Sequence, residues 1–321
     1  MKITSTIAFL SAILIVILCC LSTAQADTFG SGANQFDIDF VAIGNPGNNE
    51  DTTGSPGPPH LTGKVDYTYR MGQFEISRDM ITKANNEGGL GITMDPMGFV
   101  TGGARDDMPA TGVSWFEAAQ FVNWLNGSTP AYKFDGGGNF QLWDSGEVAE
   151  YNSANPYRSN LATYFLPSVD EWYKAAYYNA GTGRYGDYPT ANGLVPTAVA
   201  SGTAANTAVY DQSFNTGPAD ITQAGGLSPY GTMGQAGNAW EWEETDFDLV
   251  NDSSSSARGV RGGDWNFGSG DLSSSFRNLG GNPASGVNVI GFRVASIPEP
   301  STLLLGALAS VGLLMRRRRL S

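Results

Sequence analysis

The residues with the clearest chemical potential lie at 237–242, in the sequence GNAWEW, where one carboxylate stands between two tryptophans. Side chains alternate along a β-strand, so Trp240 and Trp242 would share one face and Glu241 would point to the other. A carboxylate fixed opposite an aromatic pair can act as a metal ligand. The alternative is a core strand whose Glu241 faces water, because a single acidic residue is usually solvated. The spacing leaves both interpretations open.

Side chains for nucleophilic catalysis are scarce in this sequence. The two cysteines, Cys19 and Cys20, lie in an apolar N-terminal run, and His60 is the only histidine. Once that run is removed, the chain has no thiolate ligand, disulfide or cysteine nucleophile. One histidine also excludes a histidine-based triad and a histidine-rich metal site. Carboxylates such as Asp264 and Asp271 remain for acid–base chemistry, which requires that burial raise the pKa of one of them.

Residues 1–26 predict a secretory signal peptide. Lys2 supplies the basic start, residues 7–21 form the apolar run, and residues 24–26 (AQA) provide an A-x-A cleavage site. The mature chain is therefore expected to begin at Asp27 and to work outside the cytoplasm.

Residues 297–321 combine three features in order: Pro-Glu-Pro at 298–300, an apolar run at 303–315 and four arginines at 316–319. This order resembles the PEP-CTERM sorting signal of exopolysaccharide-producing Gram-negative bacteria, which implies recognition and cleavage by an exosortase. An ordinary tail anchor is the alternative, and both interpretations place the apolar run in the membrane as a transmembrane helix with the arginines in the cytoplasm. The resemblance implies an exported protein of the cell envelope, surface or extracellular matrix, transiently anchored in the inner membrane.

The exported part of the chain is strongly acidic. Removing Lys2 and the four arginines at 316–319 from the 18 basic residues leaves 13, against 31 acidic residues, a net charge near −18. Phosphate-rich partners are repelled by such a charge, so nucleic acid and anionic lipid are excluded as partners. An extracellular protein that binds divalent cations fits this balance.

About 270 residues lie between the two signals, enough for one buried core, and no internal repeat is visible. We divide them into an N-terminal strand and loop segment, 27–66, and a main domain, 67–296. Abundant glycine, asparagine, serine and aromatic residues predict an α+β fold that is rich in loops and has short strands. Residues 67–76 alternate well enough for a strand, whereas 126–160 and 179–228 predict long loops with short strands.

Two main helices are predicted from capping boxes. The S-x-x-E patterns at 114–117 and 168–171 each stand directly before apolar residues at helical spacing. Both helices would present an apolar stripe, so we expect their aromatic residues in the core.

Three arginines mark the C-terminal part of the main domain. Arg261, Arg277 and Arg293 are the only basic residues between Arg258 and the arginine tail. Arginine suits buried ion pairs because its planar fork satisfies a carboxylate with two hydrogen bonds. We therefore expect these arginines to pair with carboxylates or carbonyl groups rather than to bind a ligand.

Five segments in order resemble motifs of one enzyme family. They are residues 109–124 (PATGVSWFEAAQFVNW), 165–172 (FLPSVDEW), 230–242 (YGTMGQAGNAWEW), 261–265 (RGGDW) and 291–293 (GFR). Together they resemble the formylglycine-generating enzyme, or sulfatase-modifying factor, family. The resemblance implies a loop-rich fold of C-type-lectin-like complexity.

The resemblance also implies which residues would carry the family's chemistry. The enzymes oxidise a cysteine of a sulfatase to formylglycine with copper held by two cysteines. Aligning Arg277 with the arginine of that segment places Ser273 and Asn278 at the two cysteine positions. Neither side chain replaces a thiolate as a ligand of copper(I), so copper is not expected and no catalytic residue is carried over.

Calcium is the cofactor that the resemblance implies, and it takes six to eight oxygen ligands, including backbone carbonyls. The first implied site comprises the carbonyls of Gly237 and Ala239 and the carboxylate of Glu241. The second implied site comprises Asn206, the Thr207 carbonyl and Asp211. The family usually has another acidic or amide residue where this chain has Gly234, which weakens the first site. Capping of both clusters by protein hydrogen bonds alone is the alternative.

These observations predict a non-catalytic binding or structural protein of the envelope or exopolysaccharide matrix. Its groove would bind a peptide or a polysaccharide, and Trp143, Tyr151 and Tyr157 could stack on sugar rings, although burial is the commoner fate of such residues. One alternative is an oxidoreductase-type sulfatase-modifying enzyme with different active-site chemistry, at acids near Ser273. A lectin-like adhesin is the other.

Overall fold

Three α-helices begin at serine N-caps. The computed structural model describes residues 25–53 and 62–298, and its helices are α1 (Arg78–Gly88), α2 (Trp115–Leu125) and α3 (Val169–Tyr177). Helix α1 was not predicted, because Ser77 lacks the glutamate of a capping box and the helix buries only Ile81 and Ala84. A helix with so small an apolar stripe gives a weak periodic signal.

The two predicted helices are confirmed, and so are their capping boxes. In α2 the hydroxyl of Ser114 accepts the backbone N–H of Glu117, whose carboxylate accepts the backbone N–H of Ser114. Ser168 and Glu171 do the same in α3. Each box satisfies two helix-end donors that would otherwise lack partners.

Short strands and single-turn helices account for most of the remaining regular structure in the described residues. The strands are β1 (Gln25–Phe29), β2 (Phe36–Ile43), β3 (Tyr69–Gly72), β4 (Lys133–Phe134), β5 (Phe140–Gln141), β6 (Tyr164–Phe165), β7 (Tyr178–Asn179), β8 (Arg184–Tyr185), β9 (Thr197–Ala198), β10 (Thr207–Ala208), β11 (Trp240–Asp246), β12 (Arg258–Arg261), β13 (Asn278–Gly281), β14 (Ile290–Gly291) and β15 (Ala295–Ser296). The 3₁₀ turns are Gly32–Asn34, Phe214–Thr216, Ile221–Gln223 and Ser269–Leu272. The strand predicted over 67–76 is present but shorter, and the predicted loop-rich α+β class is confirmed.

The larger sheet brings the two ends of the described chain together. Its strand order is β1-β2-β3-β15-β6, and every neighbouring pair is antiparallel. Strand β1 therefore runs parallel to β3, while β15 runs against both. As a result, the start of β1 and the end of β15 lie at the same end of the sheet.

A second sheet, in the order β13-β12-β11-β14, carries the GNAWEW stretch on β11. All seven residues of β11 are buried, so both faces of the strand pack against protein. The three predicted arginine pairings are confirmed. Arg261 and Arg277 bind the carboxylate of Glu243, and Arg293 binds that of Glu241.

Several predictions fall outside the described residues. They concern most of the signal peptide with Cys19 and Cys20, the histidine at position 60, and the apolar run at 303–315. Within residues 25–53 and 62–298, no helix is both long and apolar enough to cross a bilayer.

Candidate functional site

A cleft of about 600 Å³ opens beside the N-terminus of α3. It lies among the loop before β6, the C-terminal end of β11 and the residue that follows β15, Ile297. Four asparagine side chains line it: Asn152, Asn155, Asn160 and Asn251. A cleft of this size is within the range of small-molecule sites, ~300–1,000 Å³.

Arg158 lies on the floor of the cleft between two buried carboxylates. Its Nε donates to Glu244 at 2.8 Å, and its terminal nitrogens donate to the two oxygens of Glu171 at 2.9 and 2.8 Å. The guanidinium also stacks on the ring of Phe165, 3.8 Å from its centroid. Burial alone would raise the pKa of the Glu171 carboxyl, but Arg158 outweighs it and holds that pKa below its usual value. At the floor of the cleft, one guanidinium is therefore shared by two carboxylates.

Hydrogen bonds extend from this ion pair to the walls of the cleft. The hydroxyl of Tyr67 donates to Glu171 at 2.5 Å. On the other side, the amide of Asn155 donates to Glu244 at 2.6 Å, and the amide of Asn251 donates to Asn155 at 2.9 Å. Charge-assisted bonds of this kind fix side-chain positions before any ligand arrives.

The aromatic residues predicted to stack on sugars do not line the cleft. Trp143 and Tyr157 are buried, and the hydroxyl of Tyr157 donates to Asp246. Tyr151 is half-buried. The aromatic ring that the cleft exposes is that of Tyr67, at 42%.

One further carboxyl lines the cleft. Burial raises the pKa of Asp170 to about 6, and the backbone N–H of Gly63 donates to the carboxyl at 2.7 Å. A group with this pKa is ionised at neutral pH, so it adds negative charge to the floor.

Glu241, the carboxylate of the GNAWEW stretch, is fully buried. Its Oε2 accepts the indole N–H of Trp172 and the Nε–H of Arg293, both at 2.6 Å, and its Oε1 accepts a terminal N–H of Arg293 at 2.5 Å. The water-facing alternative is therefore excluded by its burial.

The segment aligned with the family's cysteines lies at the edge of the second sheet. Ser273 follows the last 3₁₀ turn, with its hydroxyl 2.8 Å from that of Ser275, and Asn278 begins β13. Between them, Arg277 donates to Glu243 at 2.6 Å and to the carbonyl of Phe247 at 2.6 Å. The aligned arginine is therefore fixed in the fold, while the two flanking side chains carry no sulfur.

Comparison with protein families decides the identity of this domain. The family model described as sulfatase-modifying factor enzyme 1-like domain matches residues 48–297. The chain belongs to the sulfatase-modifying factor family. A second model, the PEP-CTERM protein-sorting motif, matches residues 296–319. This motif indicates export, sorting to the envelope of a Gram-negative bacterium and recognition by an exosortase.

Solved structures support the fold of this sulfatase-modifying factor domain. Treponema denticola variable protein 1 is 19% identical, with a TM-score of 0.60 over 86% of this chain and 100% of that one. PvdO from Pseudomonas aeruginosa is 15% identical, with a TM-score of 0.53 over 86% and 100%. CarF is 17% identical, with a TM-score of 0.52 over 82% and 99%. Identities this low show a shared fold alone. A search of curated proteins found no significant match.

The calcium site implied around Glu241 does not fit the residues present. Both oxygens of this carboxylate already bind Arg293 or Trp172, so the guanidinium supplies the positive charge that a cation would bring. Packing also accounts for Gly237, because a Cβ there would stand 2.1 Å from the carbonyl oxygen of Val209. Ala239 is buried beside it.

The other implied calcium ligands are dispersed along an extended segment. Residues 207–209 pair in turn with Thr197, with residue 225 and with residue 237. The Thr207 carbonyl accepts a hydrogen bond from Gly226 at 2.9 Å. In the described parts of the chain, no three acidic, histidine or cysteine side chains are placed to hold a metal ion.

The acids named for alternative chemistry lie close to the aligned cysteine segment. Asp264 is buried, and one of its oxygens accepts the backbone N–H groups of Asn266 and Phe267 at 2.8 and 3.1 Å. Burial raises the pKa of Asp264 to about 6. Burial also raises the pKa of Asp271, whose side chain is a neighbour of Gly263.

Arg158 and Tyr67 of the cleft, and Glu244 behind it, were not predicted from the sequence. Residues 86 positions apart in the sequence form the Arg158–Glu244 pair, so no local pattern marks it. The only available signal was the length of the 126–160 loop, since long loops in compact domains usually carry function.

Proposed function

We propose that this exported member of the sulfatase-modifying factor family is a non-catalytic binding protein of the envelope or exopolysaccharide matrix, and that its ligand is a matrix polysaccharide. The observation that carries the proposal is the cleft of about 600 Å³, whose walls carry four asparagine amides and whose floor is fixed by a buried ion-pair network. Amides donate and accept hydrogen bonds, as sugar hydroxyls do.

The residues at the family's oxidation site support a non-catalytic role. Formylglycine formation in the family uses copper on two cysteines, and this chain carries Ser273 and Asn278 there. The only cysteines of the sequence are Cys19 and Cys20, inside the predicted signal peptide. The thiolate chemistry of the family therefore has no residues to perform it after export.

The cell would deliver this binding protein in two steps. The signal peptide directs export, and the apolar run at 303–315 anchors the precursor transiently in the inner membrane until an exosortase acts. The binding domain then reaches the surface or the matrix, where polysaccharide is available.

Retention on immobilised matrix polysaccharide tests the proposal. The exported protein should be retained, and the double variant Asn152→Ala/Asn160→Ala in the cleft should be retained roughly tenfold less, the effect of losing one or two hydrogen bonds. Asn86→Ala/Asn215→Ala is the matched control, because both side chains are exposed and neither lines the cleft. No retention, or equal retention of the two double variants, would refute the proposal.

An enzyme with different chemistry is the second candidate function. The buried carboxyl of Asp264, with its raised pKa and with Asp271 nearby, is the observation that favours it. Oxidation of a cysteine-containing sulfatase peptide by the purified protein, with dioxygen as the oxidant and an added thiol as the reductant and lost in Asp264→Asn, would establish this function. Absence of any product at substrate saturation would exclude it.

A further inference from the structure

The cleft also carries information on the class of polysaccharide that it accepts, an inference that rests on the proposed function. We propose that the cleft binds an uncharged or amine-bearing stretch of polysaccharide and rejects polyanionic ones. Three features of the cleft support this ligand class: the sign of its charge, its amide walls and one exposed ring.

The charge of the cleft is negative. Among the described residues that line it, Arg158 is the only basic one and Asp170 the only acidic one. Directly behind the lining, the buried carboxylates of Glu171 and Glu244 share Arg158 at distances of 2.6–2.9 Å. Asp170 on the same side adds a carboxylate at neutral pH. A uronate or sulfate group entering the cleft would therefore meet uncompensated like charge, whereas an ammonium group would be attracted.

The asparagine amides on the walls of the cleft are held in position to hydrogen-bond hydroxyl groups. Asn155 and Asn251 are held by the hydrogen bonds that run from Glu244, so their amides need no reordering when a ligand binds. Asn160 is anchored by its amide to the carbonyl of Tyr151 at 2.6 Å, and its own carbonyl oxygen is left to accept a hydroxyl. Pre-fixed donors and acceptors lower the entropic cost of binding.

Tyr67 provides an apolar face for a sugar ring. Its hydroxyl is fixed on Glu171, and the residue is 42% exposed at the edge of the cleft. Sugar rings present C–H groups that pack on aromatic faces, and a tyrosine whose hydroxyl is satisfied keeps its ring in place. Polar walls with one aromatic face suit a carbohydrate better than an apolar ligand.

A panel of three polymers of matched length tests the inference with the full chain in detergent. The probes are dextran, which is uncharged, chitosan oligosaccharide, which bears amines, and alginate, which bears uronates. Dextran or chitosan should bind, and alginate should bind at least tenfold more weakly or not at all in isothermal titration calorimetry. Tyr67→Ala should weaken binding of the accepted polymer at least fivefold, with the melting temperature recorded to detect unfolding.

A variant that changes only the charge of the cleft tests the ligand class separately from loss of structure. Unfolding would weaken the binding of every polymer, whereas a change of charge should affect alginate and chitosan in opposite directions. Asp170→Asn keeps an acceptor for the Gly63 N–H and removes one negative charge. It should strengthen alginate binding and weaken chitosan binding several-fold. Asp252→Asn, at an exposed position outside the cleft, removes the same charge and should change none of the three.

The outcomes separate the two proposals. Alginate binding as tight as dextran, or identical behaviour of the two charge variants, would overturn the ligand class while retention on native matrix polysaccharide still supported the proposed function. Failure of the native matrix polysaccharide to be retained at all would overturn the proposed function itself.

Discussion

The guanidinium of Arg70 binds the carboxylate of Asp27 through two hydrogen bonds, of 2.9 and 2.5 Å. Its Nε donates to the hydroxyl of Ser296 at 2.9 Å. Asp27 is the first residue of the predicted mature chain, and Ser296 is the first residue that the sorting-motif model matches. One side chain on β3 thus connects the first strand of the domain to its last strand.

Replacing Arg70 should destabilise the domain. Arg70→Met keeps the bulk but leaves a largely buried carboxylate unpaired, which costs ~3–5 kcal/mol in buried pairs and somewhat less here because Asp27 is 15% exposed. Urea unfolding of the exported protein measures the change. Lys64→Met is the control, because its ion pair with Asp66 is more than half exposed and should contribute under ~1 kcal/mol. Equal losses in the two variants would contradict the prediction.

The sorting signal should restrict access to the cleft. Ile297 lines the cleft, and its N–H donates to the carbonyl of Thr163 at 2.9 Å. Five residues lie between Ile297 and the apolar run that begins at Leu303, a span of at most ~20 Å. While that run is anchored, the cleft stays close to the bilayer.

We therefore expect the precursor in lipid vesicles to bind long polysaccharides at least fivefold more weakly than the processed protein. Short oligosaccharides are the internal control, because they can diffuse under the domain and should bind both forms equally. Surface plasmon resonance with both ligand lengths makes the comparison. Equal binding of the long polymer by the two forms would show that anchoring leaves the cleft open.

The buried carboxyl of Asp264 should make stability depend on pH. Burial raises its pKa from 3.8 to about 6, so the unfolded chain releases this proton at lower pH than the folded protein does. Below about pH 4 both states are protonated and the free energy of unfolding is unaffected. As the pH rises from about 4 to 6, the free energy of unfolding should fall by an amount on the order of 2 kcal/mol.

Asp264→Asn should lack this decrease, since the amide keeps an acceptor for the two backbone N–H groups and cannot ionise. Urea unfolding at pH 4, 5 and 7 should show that the free energy of unfolding of the variant increases relative to that of the wild type as the pH rises. Asp252→Asn, at an exposed site, should follow the wild type at every pH. A wild-type curve parallel to that of Asp264→Asn would refute the assignment.

Removing calcium should leave the stability of the fold unchanged. Arg293 occupies both oxygens of Glu241, so no ion is needed to neutralise this buried carboxylate. Melting temperatures with excess calcium and with chelator should agree within error. A decrease of several degrees with chelator that disappears in Glu241→Gln would show that a cation binds there after all.

Much of this protein is determined by local sequence. The two capping boxes fixed the starts of α2 and α3, because an N-cap and its glutamate are three residues apart. The motifs around Trp124, Trp172, Trp242 and Trp265 were sufficient to indicate the family, and the lack of cysteine after residue 20 predicts that its copper chemistry is absent. Helix α1 was missed, since its small buried stripe leaves little periodicity to detect.

The candidate site was decided by the tertiary structure. The sequence pointed to Glu241 as a metal ligand or a solvated acid, and the fold instead buries it against Arg293, 52 positions away. Arg158 binds Glu244, which lies 86 positions later in the sequence. Arg70 binds Ser296, which lies 226 positions later. Periodicity and capping report contacts within a few residues, because they depend on the geometry of one helix or strand. Which charges meet across the core depends on how those elements pack, and that is settled only when the whole chain folds.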